Sequence, residues 1–182
     1  ICFGTSTKAT CTGSPDTYMY RIIGINASGQ IKVIKKTRLA AMQWNTAVGA
    51  TWATSSLYKN LNGSSFYTNT TYVPTAWKSK IYKYSWKYGD PTGYNVSAST
   101  MYGYENGWTS TVSNYIGLMY MHDYYYGISG GNNCSSNGAY STCKTSWIFL
   151  GNNDSANASN YEWFISRSGS DYGWSIYSKG HV

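Results

Sequence analysis

The chain has 182 residues, of which 12% are charged and 18% aromatic, with 20 tyrosines and 8 tryptophans against 4 phenylalanines, and its formal net charge is +7. That length buries a core without metal or disulfide help, so one domain over residues 1–182 is expected. No run approaches the roughly 18 apolar residues of a membrane helix, which excludes a direct span, and solubility must come from hydroxyl and amide groups.

In chain order, "TYMYRIIGINASGQIKVIKKTRL" predicts a β-hairpin, with arms Tyr18–Ile25 and Gln30–Lys36 around a tight "NASG" turn. Apolar residues fall on both faces of the second arm, which places the hairpin well inside a sheet. A helix is expected from a Thr54 or Ser55 cap through Leu57, Tyr58 and Leu61, stopped by Asn62–Gly63. A second short helix is expected from Pro74 through Ile81, with Trp77 and Ile81 four apart. Residues 89–108 read as turn-rich with a short helix around Thr100–Glu105, and "YIGLMYMHDYYYGI", Tyr115–Ile128, reads as a core strand. "TSWIFLG", "YEWFISRSG" and "YGWSIYSKGHV" follow as antiparallel strands between Gly, Asn and Ser turns. The fold class is therefore α+β: antiparallel sheets with two short helices and long turn-rich loops.

Cys2 and Cys11, and Cys134 and Cys143, repeat one C-x8-C spacing. Thiolate metal hooks are shorter and redox pairs are C-x-x-C, so two local disulfides in an oxidising, extracellular setting are expected, with a long-range pairing such as Cys2 to Cys143 the alternative. A loop of this size stabilises by roughly 2–3 kcal/mol. Seven N-x-S/T sequons, at Asn26, Asn62, Asn69, Asn95, Asn133, Asn153 and Asn157, are glycosylation candidates and mark exposed loops. The chain opens on Ile1 without a charged, apolar leader and is read as a processed or excised segment whose anchor lies outside it.

Residues 17–89 carry ten basic side chains and no acidic one, whereas the rest carries all seven acids. The two halves either face each other in one fold, or the basic half meets an acidic polymer, or opposite faces join copies into a homopolymer. No nucleic-acid module accompanies the lysines, so nucleic acid is not expected. The hydrolase motifs are absent, and His122 beside Asp123 in a strand would point to the opposite face, so His122 is read as structural and no catalytic residue is assigned. Glu162 with Asp123 or Asp171 is a carboxylate pair of no specificity. "GNNDSAN" around Asn152, Asn153 and Asp154 is the only dense oxygen cluster and offers one carboxylate, so no cofactor or metal is expected, the alternative being partial calcium binding with Glu162 or Asp171 folded over the loop. The contact candidates are aromatic and amide side chains: Tyr124, Tyr125, Tyr126, Trp147, Asn152, Asn153, Asp154 and Trp174. If 124–126 is a strand, at least one of the three rings must face outward.

The succession "YMYRIIGINASGQIKVIKK", "SSLYKNLNGSSFY", "WKSKI", "IGLMYMHDYYY", "SWIFLGNND" and "YEWFISRSGSDYGWSIYSKGHV" resembles lectin-like domains of Gram-positive bacterial surface proteins. These form a branch of the C-type-lectin-like fold related to the formylglycine-generating enzymes, and some members follow pilin-like N-termini. The resemblance implies a C-type-lectin-like fold and a non-catalytic domain at the cell surface, binding a glycan or a host or cell-surface protein in adhesion. It also implies a further Arg-Pro-Val closing strand past Val182, or an edge completed by other chain. The alternative reading is a structural subunit of a pilus-like filament, with an enzyme third. The Glu-Pro-Asn and Trp-Asn-Asp sugar motifs are absent, so calcium-mediated binding is not implied; the catalytic cysteine pair of the enzymes also has no match.

Overall fold

A computed structural model describes residues 1–37, 39, 41–46, 48–93, 96–127, 162–168 and 172–176. The elements in order are α1 (Lys8–Gly13), α2 (Pro15–Tyr18), β1 (Tyr20–Ile25), β2 (Ile31–Lys35), a 3-10 turn (Trp52–Thr54), α3 (Ser56–Asn62), α4 (Thr75–Lys78), β3 (Tyr84–Lys87), α5 (Ala98–Asn106), β4 (Thr111–Asn114), α6 (Met121–Tyr126), β5 (Glu162–Ser168) and β6 (Tyr172–Ile176). The fold is mixed α+β, with three two-stranded antiparallel sheets, β1–β2, β3–β4 and β5–β6, among the described residues. None of the described helices is long and apolar enough to cross a membrane.

The hairpin forms where the sequence places it. Asn26 Oδ1 accepts from the Ser28 and Gln30 amides at 3.0 and 2.9 Å, and Gly29 takes the positive φ of 76° that the turn needs. Its position differs from expectation among the described residues: there it is a sheet of its own, not the inside of a larger one. The bulge between Ile22 and Gly24 re-aims β1, so Ile23 and Ile34 pack on the helical core while Ile22, Ile25, Ile31 and Val33 stay exposed. At the hairpin's base, Lys35 is buried with its Nζ over the rings of Tyr20 and Tyr72, 5.9 and 5.7 Å from their centroids. Burial lowers its pKa from the usual lysine range, and Asp16 opposes that shift.

Ser55 caps α3 as expected: its buried Oγ accepts from the Tyr58 amide at 3.1 Å and donates to the Trp52 carbonyl at 2.9 Å. The second helix is shorter than the Pro74–Ile81 spacing suggests and ends at Lys78; Ile81 still reaches the core from the turn that follows. Around Thr100–Glu105 the helix exists and extends over Ala98–Asn106, with Ala98, Met101 and Glu105 facing inward at helical spacing. The expected strand over Tyr115–Ile128 is a correction, because Met121–Tyr126 is α6. The Asp123 carboxylate accepts the Tyr120 amide at 3.0 Å and starts a helix inside a β-rich run. The β3–β4 pair, Tyr84–Lys87 against Thr111–Asn114, was not evident from sequence, since neither arm carries a turn signal linking it to the other.

Two apolar clusters lie against β5. One joins Ala98, Met101, Met119, Met121, Tyr124, Tyr125 and Phe164. The other gathers Tyr20, Trp44, Trp52, Leu57, Leu61, Phe66, Val73, Tyr120 and Ile165. Two long-range indole bonds close the molecule: Trp44 Nε1 donates to the Phe164 carbonyl at 3.2 Å and Trp163 Nε1 to the Met42 carbonyl at 2.9 Å. Gly173 lies against the Trp44 ring, and a Cβ there would collide with the indole, so the close strand–ring approach requires glycine. The side chain of Asn62 acts as a clamp, donating to the Ile116 carbonyl and accepting its amide, both at 3.0 Å.

Candidate functional site: an aromatic surface over buried carboxylates

Helices α5 and α6 bring three sequence-distant charges together beneath an aromatic surface. Glu105 is buried on the inner face of α5 and its carboxylate is saturated. Oε1 accepts the Met121 amide at 2.9 Å and the Ser166 hydroxyl at 3.3 Å; Oε2 accepts the His122 amide at 3.0 Å and lies 2.6 Å from His122 Nδ1. Asp123, one residue on, takes Lys32 Nζ on both oxygens at 2.9 and 3.1 Å, and its Oδ1 lies 3.4 Å from His122 Nε2. Because Lys32 comes from β2, this pair fastens the hairpin to α6 across 91 positions of sequence. The Lys32 ammonium also lies 4.7 Å from the Tyr120 ring centroid, a favourable cation–π position.

His122 is thus held on every side. Tyr120 stacks on its ring at 5.2 Å and 14°, and its two nitrogens face carboxylates. Tyr102 and Tyr126 stand edge-on to it, at 5.1 Å and 88° and at 6.3 Å and 75°. The imidazole is 14% exposed, whereas Tyr102 and Tyr126 are 48% and 57% exposed. The outcome is an aromatic surface in which two half-exposed phenols flank a largely buried imidazole. The Tyr120 hydroxyl points away, donating to the Lys87 carbonyl at 2.9 Å, and burial pushes its pKa far above the usual tyrosine value.

Both His122 nitrogens face carboxylates, Nδ1 at 2.6 Å from Glu105 and Nε2 at 3.4 Å from Asp123, and the Ser166 hydroxyl is buried and bonded to Glu105. Among the described residues no three His, Cys, Asp or Glu side chains are grouped to hold a metal ion.

The sequence-derived candidates divide sharply here. Of "YYY", only Tyr126 faces outward; Tyr124 and Tyr125 are fully buried, and Tyr124 packs on Phe164 at 6.1 Å, so both leave the contact set. Helical geometry is the reason, since neighbouring residues differ by about 100° rather than alternating. The same geometry corrects the view of His122 and Asp123 as opposed: they sit on one helix turn and share a network. Tyr102, Glu105 and Lys32 were missed, although the helix expected near Thr100–Glu105 already implied an outer face containing Tyr102.

The Cys2–Cys11 disulfide is formed, with a Cα separation of 5.9 Å. Of the sequons, Asn69 bonds the Thr71 amide and Asn26 organises the hairpin turn, whereas Asn62 spends both amide hydrogens, on the Tyr58 and Ile116 carbonyls. Asn62 is therefore removed from the acceptor set in the folded chain. Cys134, Cys143, Trp147, Asn152, Asn153, Asp154, Asp171, Asn95, Asn133 and Asn157, and the side chains of Glu162 and Trp174, lie outside the described residues. Compared with known proteins, the chain matches no family model, and no curated protein or solved structure is significantly similar to it.

Proposed function

We propose that this chain is a non-catalytic, extracellular recognition domain of C-type-lectin-like type from a bacterial surface protein, and that it takes a sugar ring or a small surface of similar shape between Tyr102 and Tyr126. The observation that carries the reading is the ring arrangement: two half-exposed phenols edge-on to an imidazole held by buried carboxylates. Rings with few rotatable bonds, fixed before binding, offer contact area at low entropy cost. The Cys2–Cys11 bridge supports an oxidising setting, and the resemblance to lectin-like surface domains supports the class. A glycan array probed with and without calcium tests the reading, followed by titration of any hit against Tyr102→Ala and Tyr126→Ala. Loss of binding in both variants with unchanged thermal unfolding supports it. An empty array, or binding indifferent to both substitutions, overturns it.

The second reading, a filament subunit, has an observation of its own. Ile22, Ile25, Ile31 and Val33 form one exposed aliphatic face on a hairpin, a surface type that associates. Electron microscopy of the native material decides it: a regular polymer supports assembly, and dispersed monomers remove it.

A further inference from the structure

The charges under the Tyr102–Tyr126 surface bear on the kind of ligand it takes. Two carboxylates, Glu105 and Asp123, lie there with one ammonium, Lys32, and the His122 imidazole touches both acids. The formal charge of this group is −1 with a neutral imidazole and zero with an imidazolium, so it is never positive, although the whole chain carries +7. Asp123 is matched by a lysine; Glu105, its side chain 1% exposed, is met by two amides, a hydroxyl and the imidazole. Such a group disfavours an anion and favours a cation. The rings act in the same direction, because the face of a phenol attracts positive charge. Lysine ammoniums lie over Tyr20, Tyr67, Tyr72 and Tyr120, the last at 4.7 Å within this same group. No described lysine lies over Tyr102 or Tyr126, the two rings of the group that face solvent.

The carboxylate oxygens narrow the choice of cation. Glu105 Oε1 accepts the Met121 amide and the Ser166 hydroxyl, and Oε2 takes the His122 amide and faces Nδ1. Asp123 Oδ1 takes Lys32 and faces His122 Nε2, and Oδ2 takes Lys32 and the Tyr120 amide. Both carboxylates are therefore filled. A primary ammonium brings three N–H donors that need acceptors, whereas a quaternary ammonium brings none and binds through its charge and its methyl groups. We propose that the Tyr102–Tyr126 surface takes a quaternary ammonium, a trimethylammonium group of the choline type carried by its glycan or cell-surface partner. This inference rests on the recognition reading above and names the group at its centre.

The test is titration of the whole chain with choline, followed by NMR, against three probes. These are 3,3-dimethylbutanol, which has the same shape with carbon in place of nitrogen; ethanolamine, a primary ammonium; and 3,3-dimethylbutyrate, an anion. Choline should bind at least about fivefold more tightly than 3,3-dimethylbutanol, the size of a cation–ring contribution. Ethanolamine should bind more weakly than choline, and the anion weakest of all. Tyr102→Leu and Tyr126→Leu, which keep apolar bulk and remove the ring, should each weaken choline at least about threefold and leave 3,3-dimethylbutanol nearly unchanged. Tyr82→Leu, at an exposed tyrosine outside the group, should bind choline as the parent does. Circular dichroism verifies that each variant is folded. Choline binding no tighter than its carbon isostere, ethanolamine binding as tightly as choline, or indifference to both ring substitutions overturns the proposal. Neutral glycans bound through Tyr102 and Tyr126 while choline does not bind overturn this inference alone. An empty glycan array beside choline binding that both ring substitutions weaken overturns the sugar reading alone.

Discussion

The α5–α6 region and the ledge after α4 use charge in opposite ways. Around Glu105 and Asp123 the described polar atoms are consumed internally: backbone amides, an imidazole, a hydroxyl and an ammonium satisfy two buried carboxylates. On the ledge of Lys78, Lys80 and Lys83 the ammoniums have no carboxylate partner among the described residues, and Ile81 anchors the backbone to the core. The lesson is that a net charge of +7 says little until it is known which charges the fold has spent. The acidic residues of the helical region build architecture, and the lysines after α4 make no ion pair among the described residues.

That contrast breaks if the buried network proves expendable. Glu105→Ala should therefore give the largest effect, about 3–5 kcal/mol of stability lost by urea unfolding, because it orphans two buried amides and the imidazole at once. Alkaline pH is next. Burial pushes the Tyr20 phenol up to about 12 from 10.0, and its buried hydroxyl has no hydrogen-bond partner. The unfolded chain ionises first as pH rises. Stability is therefore intact below pH 10 and should fall by about 2 kcal/mol as pH rises through the folded value, adding to any contribution from Tyr120. Tyr20→Phe should flatten part of that decline and cost nothing at neutral pH, which a pH series of thermal melts would show. Ser55→Ala should cost about 1 kcal/mol, since it removes the α3 cap. The exposed Arg167–Asp90 pair, with contacts of 2.6 and 2.9 Å, sharpens the comparison from the surface side: Asp90→Asn should cost less than about 1 kcal/mol, and the difference should vanish in high salt. Smallest of all, Lys80→Gln should change stability by no more than about 0.5 kcal/mol, because that ammonium has no partner to lose.

What the sequence disclosed follows the reach of each signal. The hairpin turn, the Ser55 cap, the helix near Thr100 and the strands β5 and β6 rest on local rules, where a side chain serves a backbone group a few residues away. Helix α6 escaped because its tyrosines favour strands by composition. What decides in its favour is the Asp123 carboxylate on the Tyr120 amide, together with Glu105 receiving the next two amides from 16 and 17 positions away. The ring surface escaped for the same reason. Tyr126 was within the candidate set, but Tyr102 joins it only when α5 and α6 meet, a tertiary fact without a local mark. The β3–β4 pairing likewise joins segments separated by a whole helix.

The two indole bonds have a consequence for the order of events in folding. Trp44 reaches forward 120 positions to Phe164, and Trp163 reaches back 121 to Met42. A chain emerging from the ribosome therefore carries Trp44 and its neighbours without their β5 lid until Phe164 has been made. Non-local closure of this kind is slow, since loop entropy is lost before the contacts that repay it can form. Fragments ending before Phe164 should expose those indoles and stay unfolded. Closure of this fold thus waits for the arrival of its last described strands.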